Sequence, residues 1–156
     1  MGSLSDIVIN ALYQLWHLLP IVIAIVLFKK YIDNKDKKNR KNKNEENEKN
    51  GLTLEVRAIK KYEDISYTIV KSESILVCTK EDKTILIQCN NSIEAKSITD
   101  DDIKSFYTTA IKYVKENQLE IKNVEFRYAI AYKDALNKSA IEILLDEFYN
   151  CKYVVL

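Results

Sequence analysis

Two amides placed two apart, Gln88 and Asn90, close an apolar run that reads TILIQCN at residues 84–90. In an extended strand alternate side chains share a face, so Gln88 and Asn90 point one way while Ile87 and Cys89 point the other. Carboxylates that converge on one point can hold a divalent cation such as Mg²⁺, which orients water and stabilises charge developing on a phosphate. Amides do less. They accept and donate hydrogen bonds but carry no charge and make poor bases. What the amide pair can do therefore depends on the charged groups that the fold brings beside it.

That fold has to come from residues 51–156, which begin at Gly51 and are enough for an independent core. Apolar and charged residues from Leu52 to Lys61 mix as in a short amphipathic helix that carries Glu55. Residues 65–70 (ISYTIV) and 74–79 (SILVCT) are rich in β-branched and aromatic side chains and read as strands. Glu81, Asp82 and Lys83 turn the second of them back into the 84–90 strand as a hairpin. Thr99 is a natural N-cap with Asp102 three residues on, and acids suit a first helical turn, so Asp100, Asp101 and Asp102 read as a helix start rather than a metal site. The helix buries Ile103, Phe106, Ala110, Ile111, Tyr113 and Val114 and ends near Asn117. Residues 124–132 alternate as a strand, 134–149 form a second helix, and 152–156 a last strand. The order α-β-β-β-α-β-α-β predicts an α/β fold with a mixed sheet and flanking helices.

The preceding chain differs in kind. Residues 7–28 (IVINALYQLWHLLPIVIAIVLF) hold no formally charged side chain apart from His17 when protonated, and are long enough to cross a hydrocarbon core about 30 Å thick. No Lys or Arg precedes them, as a signal peptide would require, while Lys29 and Lys30 follow at once. Residues 1–28 are thus expected to be a single-pass anchor with its span at 7–28. The excess of Lys and Arg after the span sets the N-terminus outside and the C-terminal domain on the cytoplasmic side of a bacterial-type inner membrane. Residues 29–50 are Lys, Asn, Asp and Glu with almost nothing apolar after Ile32, which predicts a disordered linker. Its basic first half suits anionic headgroups, at about 1 kcal/mol per cation near the surface.

Two glycines and one proline in 156 residues exclude a Gly-rich phosphate loop and collagenous or linker-dominated designs. Cys78, Cys89 and Cys151 form no CxxC or CxxH pair and read as reduced core thiols rather than zinc ligands. Residues 51–156 carry 15 Lys and Arg against 17 Asp and Glu with no dense basic stripe, a weak footprint for nucleic acid.

Across nearly all of residues 51–156 the chain resembles the restriction-endonuclease-like superfamily, and within it the Mrr-type domain. The resemblance rests on the start Gly51, Leu54, Glu55, on the strand end Ile87, Gln88, Cys89 where the family has Gln-Cys-Lys, and on the following Ile103 and Phe106. It implies a DNA endonuclease that uses Mg²⁺, acidic ligands and a Lys. Asn90 stands where that Lys belongs, and the family's metal-binding Asp falls on Ile75 or Ser74. Glu55 matches the first-helix acid that can assist the metal, although an exposed helical glutamate would look the same. Glu73 is a candidate relocated acid, and Lys71, Lys96 or Lys104 a candidate relocated cation. Loss of both a metal carboxylate and the Lys predicts a catalytically silent domain with no cofactor, acting in DNA or protein binding. The alternative is an active Mg²⁺-dependent endonuclease with relocated residues.

Overall fold

The computed structural model describes Trp16 and residues 18–156, and the chain divides into two compact units, residues 1–42 and 43–156. Among the described residues, the first element is helix α1 (Leu19–Lys49). Its early apolar side chains, among them Leu19, Ile23 and Phe28, are exposed. Among the described residues no helix is long and apolar enough to cross a membrane. Residues 7–15 and His17 of the expected span lie outside the described residues. Residues 29–49, which composition alone reads as a disordered linker, are helical. Lys, Arg and Glu are good helix formers, and a search for apolar content gives that propensity no weight. Gly51, at φ 68°, ends the run in the left-handed conformation that a side chain resists.

In the second unit, helix α2 (Leu54–Glu63) starts at Thr53, whose hydroxyl accepts from the Val56 N–H. It is followed by strands β1 (Thr68–Ser72), β2 (Ile75–Lys80) and β3 (Lys83–Asn90), then helix α3 (Asp100–Glu116), strand β4 (Val124–Ile130), helix α4 (Lys138–Leu145) and strand β5 (Cys151–Val155). One five-stranded sheet runs β1-β2-β3-β4-β5. The first three strands pair antiparallel as two hairpins, and β4 and β5 join in parallel through the α3 and α4 crossovers. The fold is therefore α/β with a mixed sheet and flanking helices, in the element order expected from periodicity.

Each face of the sheet has its own core. On one face Ala58 and Tyr62 of α2 pack on Leu76, Cys78, Ile85 and Ile87. On the other, Ile103, Phe106 and Ala110 of α3 pack with Leu86, Phe126 and Tyr128. The Phe106 ring meets those of Phe126 and Tyr128 at 6.3 and 5.8 Å in edge-on and tilted contacts.

Three elements are shorter than expected, β4 by stopping at Ile130 rather than at residue 132. β1 opens at Thr68 rather than Ile65 because Ser66, at φ 68°, turns the chain out of α2 while the Tyr67 N–H returns to the Tyr62 carbonyl. The predicted 134–149 helix contracts to α4 between short 3₁₀ turns. Its start is fixed by Asn137, whose side chain accepts from the Ala140 N–H at 2.7 Å, and the chain before it is held by a bridge between Ile98 and Leu136.

Candidate functional site at the end of strand β3

The pleat of β3 turns Gln88 and Asn90 to one side, as its alternation requires, and that side belongs to α3 and α4. Asn90 is spent on structure. Its Nδ2 donates to the Tyr128 hydroxyl at 2.9 Å, and its Oδ1 accepts from the Ser92 N–H at 3.0 Å, starting the turn out of the strand. Tyr128 is fully buried in the α3-side core. Burial raises its phenol pKa above the usual value, and the hydrogen bond from Asn90 partly offsets this. Ile75, where the resemblance puts a metal-binding Asp, belongs to the same core and is 2% exposed. Ser74 is the other candidate position and likewise carries no carboxylate.

Glu55 lies on the opposite side of the sheet. It occupies the first turn of α2, and its Oε2 accepts from Lys71 Nζ of β1 at 2.7 Å. Lys71 is paired with Leu76, and Leu76 with Ile87, both of which belong to the α2-side core. Cys89 faces the same way, two residues beyond Ile87. Its thiol is pushed up to about 12, first by burial and then by Glu55, with Lys71 and Arg57 opposing. Arg57 Nη1 donates to the Leu156 carbonyl at 2.8 Å, while its Nε is buried without a hydrogen-bond partner. Glu55, Arg57, Lys71 and Cys89 thus form one polar group beneath α2.

Glu73 sits in the turn between β1 and β2 at φ 49°. It lines a small cleft with Ser72, Ile75 and the α3 residues Thr109, Lys112 and Tyr113. It therefore turns toward α3, away from Glu55. Of the other cations considered, Lys104 is held by Asp100 at 2.6 Å within α3, and Lys96 lies in the loop after β3, where its N–H donates to the Asp134 carbonyl.

The structure thus sets Gln88 and Asn90 on one face, pairs Glu55 with Lys71, and keeps Glu73 apart from Glu55. Among the described residues no three His, Cys, Asp or Glu side chains group as a metal site. This donor set does not fit Mg²⁺: one carboxylate is committed to a lysine, the other belongs to a turn on the far face, and the amides are neutral. The aspartates at 100–102 serve the helix start, with Asp102 accepting from the Thr99 N–H at 2.7 Å and from its hydroxyl at 2.9 Å. Sequence reasoning missed Tyr128 as the partner of Asn90 and missed Arg57 and Cys89 as neighbours of Glu55. The first was legible only as one of many core-like tyrosines. The second needed the knowledge that α2 covers the face of Ile87 and Cys89.

No protein-family model, curated protein or solved structure matches the chain.

Proposed function

We propose that residues 51–156 are an Mrr-like, restriction-endonuclease-fold domain that binds a partner without cleaving DNA, held at the cytoplasmic face of a membrane by residues 7–28. The fold assignment is supported by the order of helix, three-stranded antiparallel sheet, helix and parallel strand. The observation that carries the loss of cleavage is the division of the motif across the sheet: Glu55 is on the α2 face, and Gln88, Asn90 and the apolar Ile75 are on the α3 face. A carboxylate and a cation must converge on one phosphate to stabilise its transition state, and groups on opposite faces of a sheet cannot.

The domain's balance of 15 basic and 17 acidic residues favours a protein partner over duplex DNA, whose binding depends on phosphate neutralisation. Membrane attachment is supported by the exposed apolar residues of α1 followed directly by Lys29 and Lys30.

A second reading draws on the Lys71–Glu55 contact, an acid and a cation 2.7 Å apart on one face: an active Mg²⁺-dependent endonuclease with relocated residues. One assay separates the two. The full chain in detergent, incubated with supercoiled plasmid and Mg²⁺ or Mn²⁺, is expected to leave the plasmid intact. Nicking that disappears in Glu55→Ala or Glu73→Ala would establish the second reading and end the first. Retention in the membrane pellet after alkaline carbonate extraction tests the anchor, and release into the supernatant would remove it.

A further inference from the structure

The sheet has two edge strands, β1 and β5. Beside β1, Lys71 is paired with Glu55, and Lys80 Nζ donates to the Ile65 carbonyl at 2.9 Å, so charged side chains lie along that border. The other edge, β5, reads Cys-Lys-Tyr-Val-Val, with one lysine and no proline as in β1, and Lys133 Nζ stands over its Tyr153 ring at 6.0 Å. Natural edge strands are usually blunted by charges or proline, because their unpaired N–H and C=O groups are a template for another strand.

The hydrogen bonds to β4 fix which groups point outward. The Phe126 N–H donates to the Asn150 carbonyl and the Leu156 N–H to the Ile130 carbonyl, so the even-numbered residues of β5 bond inward. Parallel pairing then leaves the N–H and C=O of Cys151, Tyr153 and Val155 directed at the open side. The same three side chains share the α3 face, where Cys151 and Tyr153 join the core and Val155 is 46% exposed. Leu145 and Phe148, at 76% and 73% the most exposed large apolar side chains of residues 43–156, stand on the connection that leads into this edge.

We propose that a second copy of this chain pairs with β5 in antiparallel fashion, centred on Tyr153, so that two sheets join into one. The strand is self-complementary in that register. Tyr153 meets Tyr153 of the other copy, and Cys151 meets Val155 in both directions, so every outward residue faces an outward residue and exchanges both of its bonds. Lys152 faces Val154 of the other copy, which keeps the two ammonium groups from standing directly opposite each other. Centring on Lys152 instead would oppose the two lysines and set inward-bonded groups at the middle of the ladder. The twofold axis is normal to the sheet, so the α3 faces of both copies stay on one side.

The test is the mass of the full chain in detergent, measured by light scattering on size exclusion. A dimer is expected. Val155→Pro removes an outward N–H and no bond to β4, a place where an edge strand tolerates proline, and should halve the protein mass while circular dichroism is unchanged. Tyr153→Cys should form a disulfide-linked dimer on mild oxidation, because the hydrogen-bonded pair sets the two Cα atoms about 5.5 Å apart, within bridging range. A monomeric wild-type chain overturns the proposal, and so does a Val155→Pro dimer whose Tyr153→Cys counterpart fails to cross-link. If Val155→Pro does not fold, the Tyr153→Cys result decides alone: a cross-linked dimer supports the interface, and its absence overturns it. Neither measurement depends on nuclease activity, so the outcome is independent of the plasmid assay.

Discussion

Asn90 ends β3 with its amide donating to a phenol that has no access to water. Asn90→Ala leaves the Tyr128 hydroxyl buried and without that partner, and an unsatisfied buried hydroxyl costs about 1–3 kcal/mol. The Ser92 N–H loses its acceptor as well, although it lies in a loop that water can reach. Urea unfolding should therefore show the Asn90→Ala midpoint falling clearly below wild type. Tyr128→Phe should cost less, since the half-buried Asn90 amide can turn to water once the hydroxyl is gone. Equal stability of Asn90→Ala and wild type would show that the Asn90–Tyr128 bond contributes nothing. The same residue shows what a motif comparison can miss. Asn90 looks like a failed catalytic lysine when compared with a family, and like a well-placed structural amide when its neighbours are known.

Among the elements, α3 has the start that its sequence calls for. Asp102 accepts from the Thr99 N–H and hydroxyl, while Asp100 takes Lys104 Nζ at 2.6 Å and the Ser139 hydroxyl at 2.9 Å, tying the helix start to α4. The Lys104 hydrogen bond, with Ser139 second, holds the Asp100 carboxyl below the usual carboxylate range. Asp102→Ala removes the capping interaction and should cost about 1 kcal/mol, read as a lower thermal midpoint, with Asp102→Asn losing less. An unchanged midpoint in Asp102→Ala would remove the cap from the account. This helix was legible because its start chemistry and its Ile103, Phe106, Ala110, Val114 stripe are both local signals. The strands were legible for the same reason, through β-branched runs and the Glu81–Asp82 turn. What was not legible was which side of the sheet each helix covers. Pleating shows that Gln88 and Asn90 share a face, but only the pairing of Lys71 with Leu76 and of Leu76 with Ile87 shows that Glu55 is on the other. Likewise, the limits of α4 depend on Asn137 accepting from the Ala140 N–H at its start and Asp146 accepting from the Phe148 N–H beyond its end, side-chain bonds that an apolar stripe does not reveal.

At the scale of the whole folded unit, the cores on the two faces hold their thiols out of water, and this gives stability a direction with pH. Burial pushes Cys78 up to about 11 and Cys151 up to about 12, from an ordinary value near 9. Cys78 lies in the α2-side core and Cys151 in the α3-side core, at 0% and 2% exposure, so opening only one face would release only one of them. Tyr62 and Tyr128 are also raised, mainly by burial, one on each face. All four groups, and Cys89 with them, keep protons in the folded chain that the unfolded chain releases. Their contribution is complete below about pH 9 and is lost as pH climbs toward 12, at about 1.4 kcal/mol per pH unit for each thiol still protonated only when folded. The urea midpoint should thus hold steady through neutral pH and fall steeply above about 9, with the tyrosines steepening the fall near 10. Cys151→Ala should start from a lower midpoint at neutral pH, because it empties volume in the α3-side core, yet decline less steeply in alkali because one proton has left the balance. Parallel alkaline slopes for Cys151→Ala and wild type would mean that the Cys151 thiol does not drive the loss.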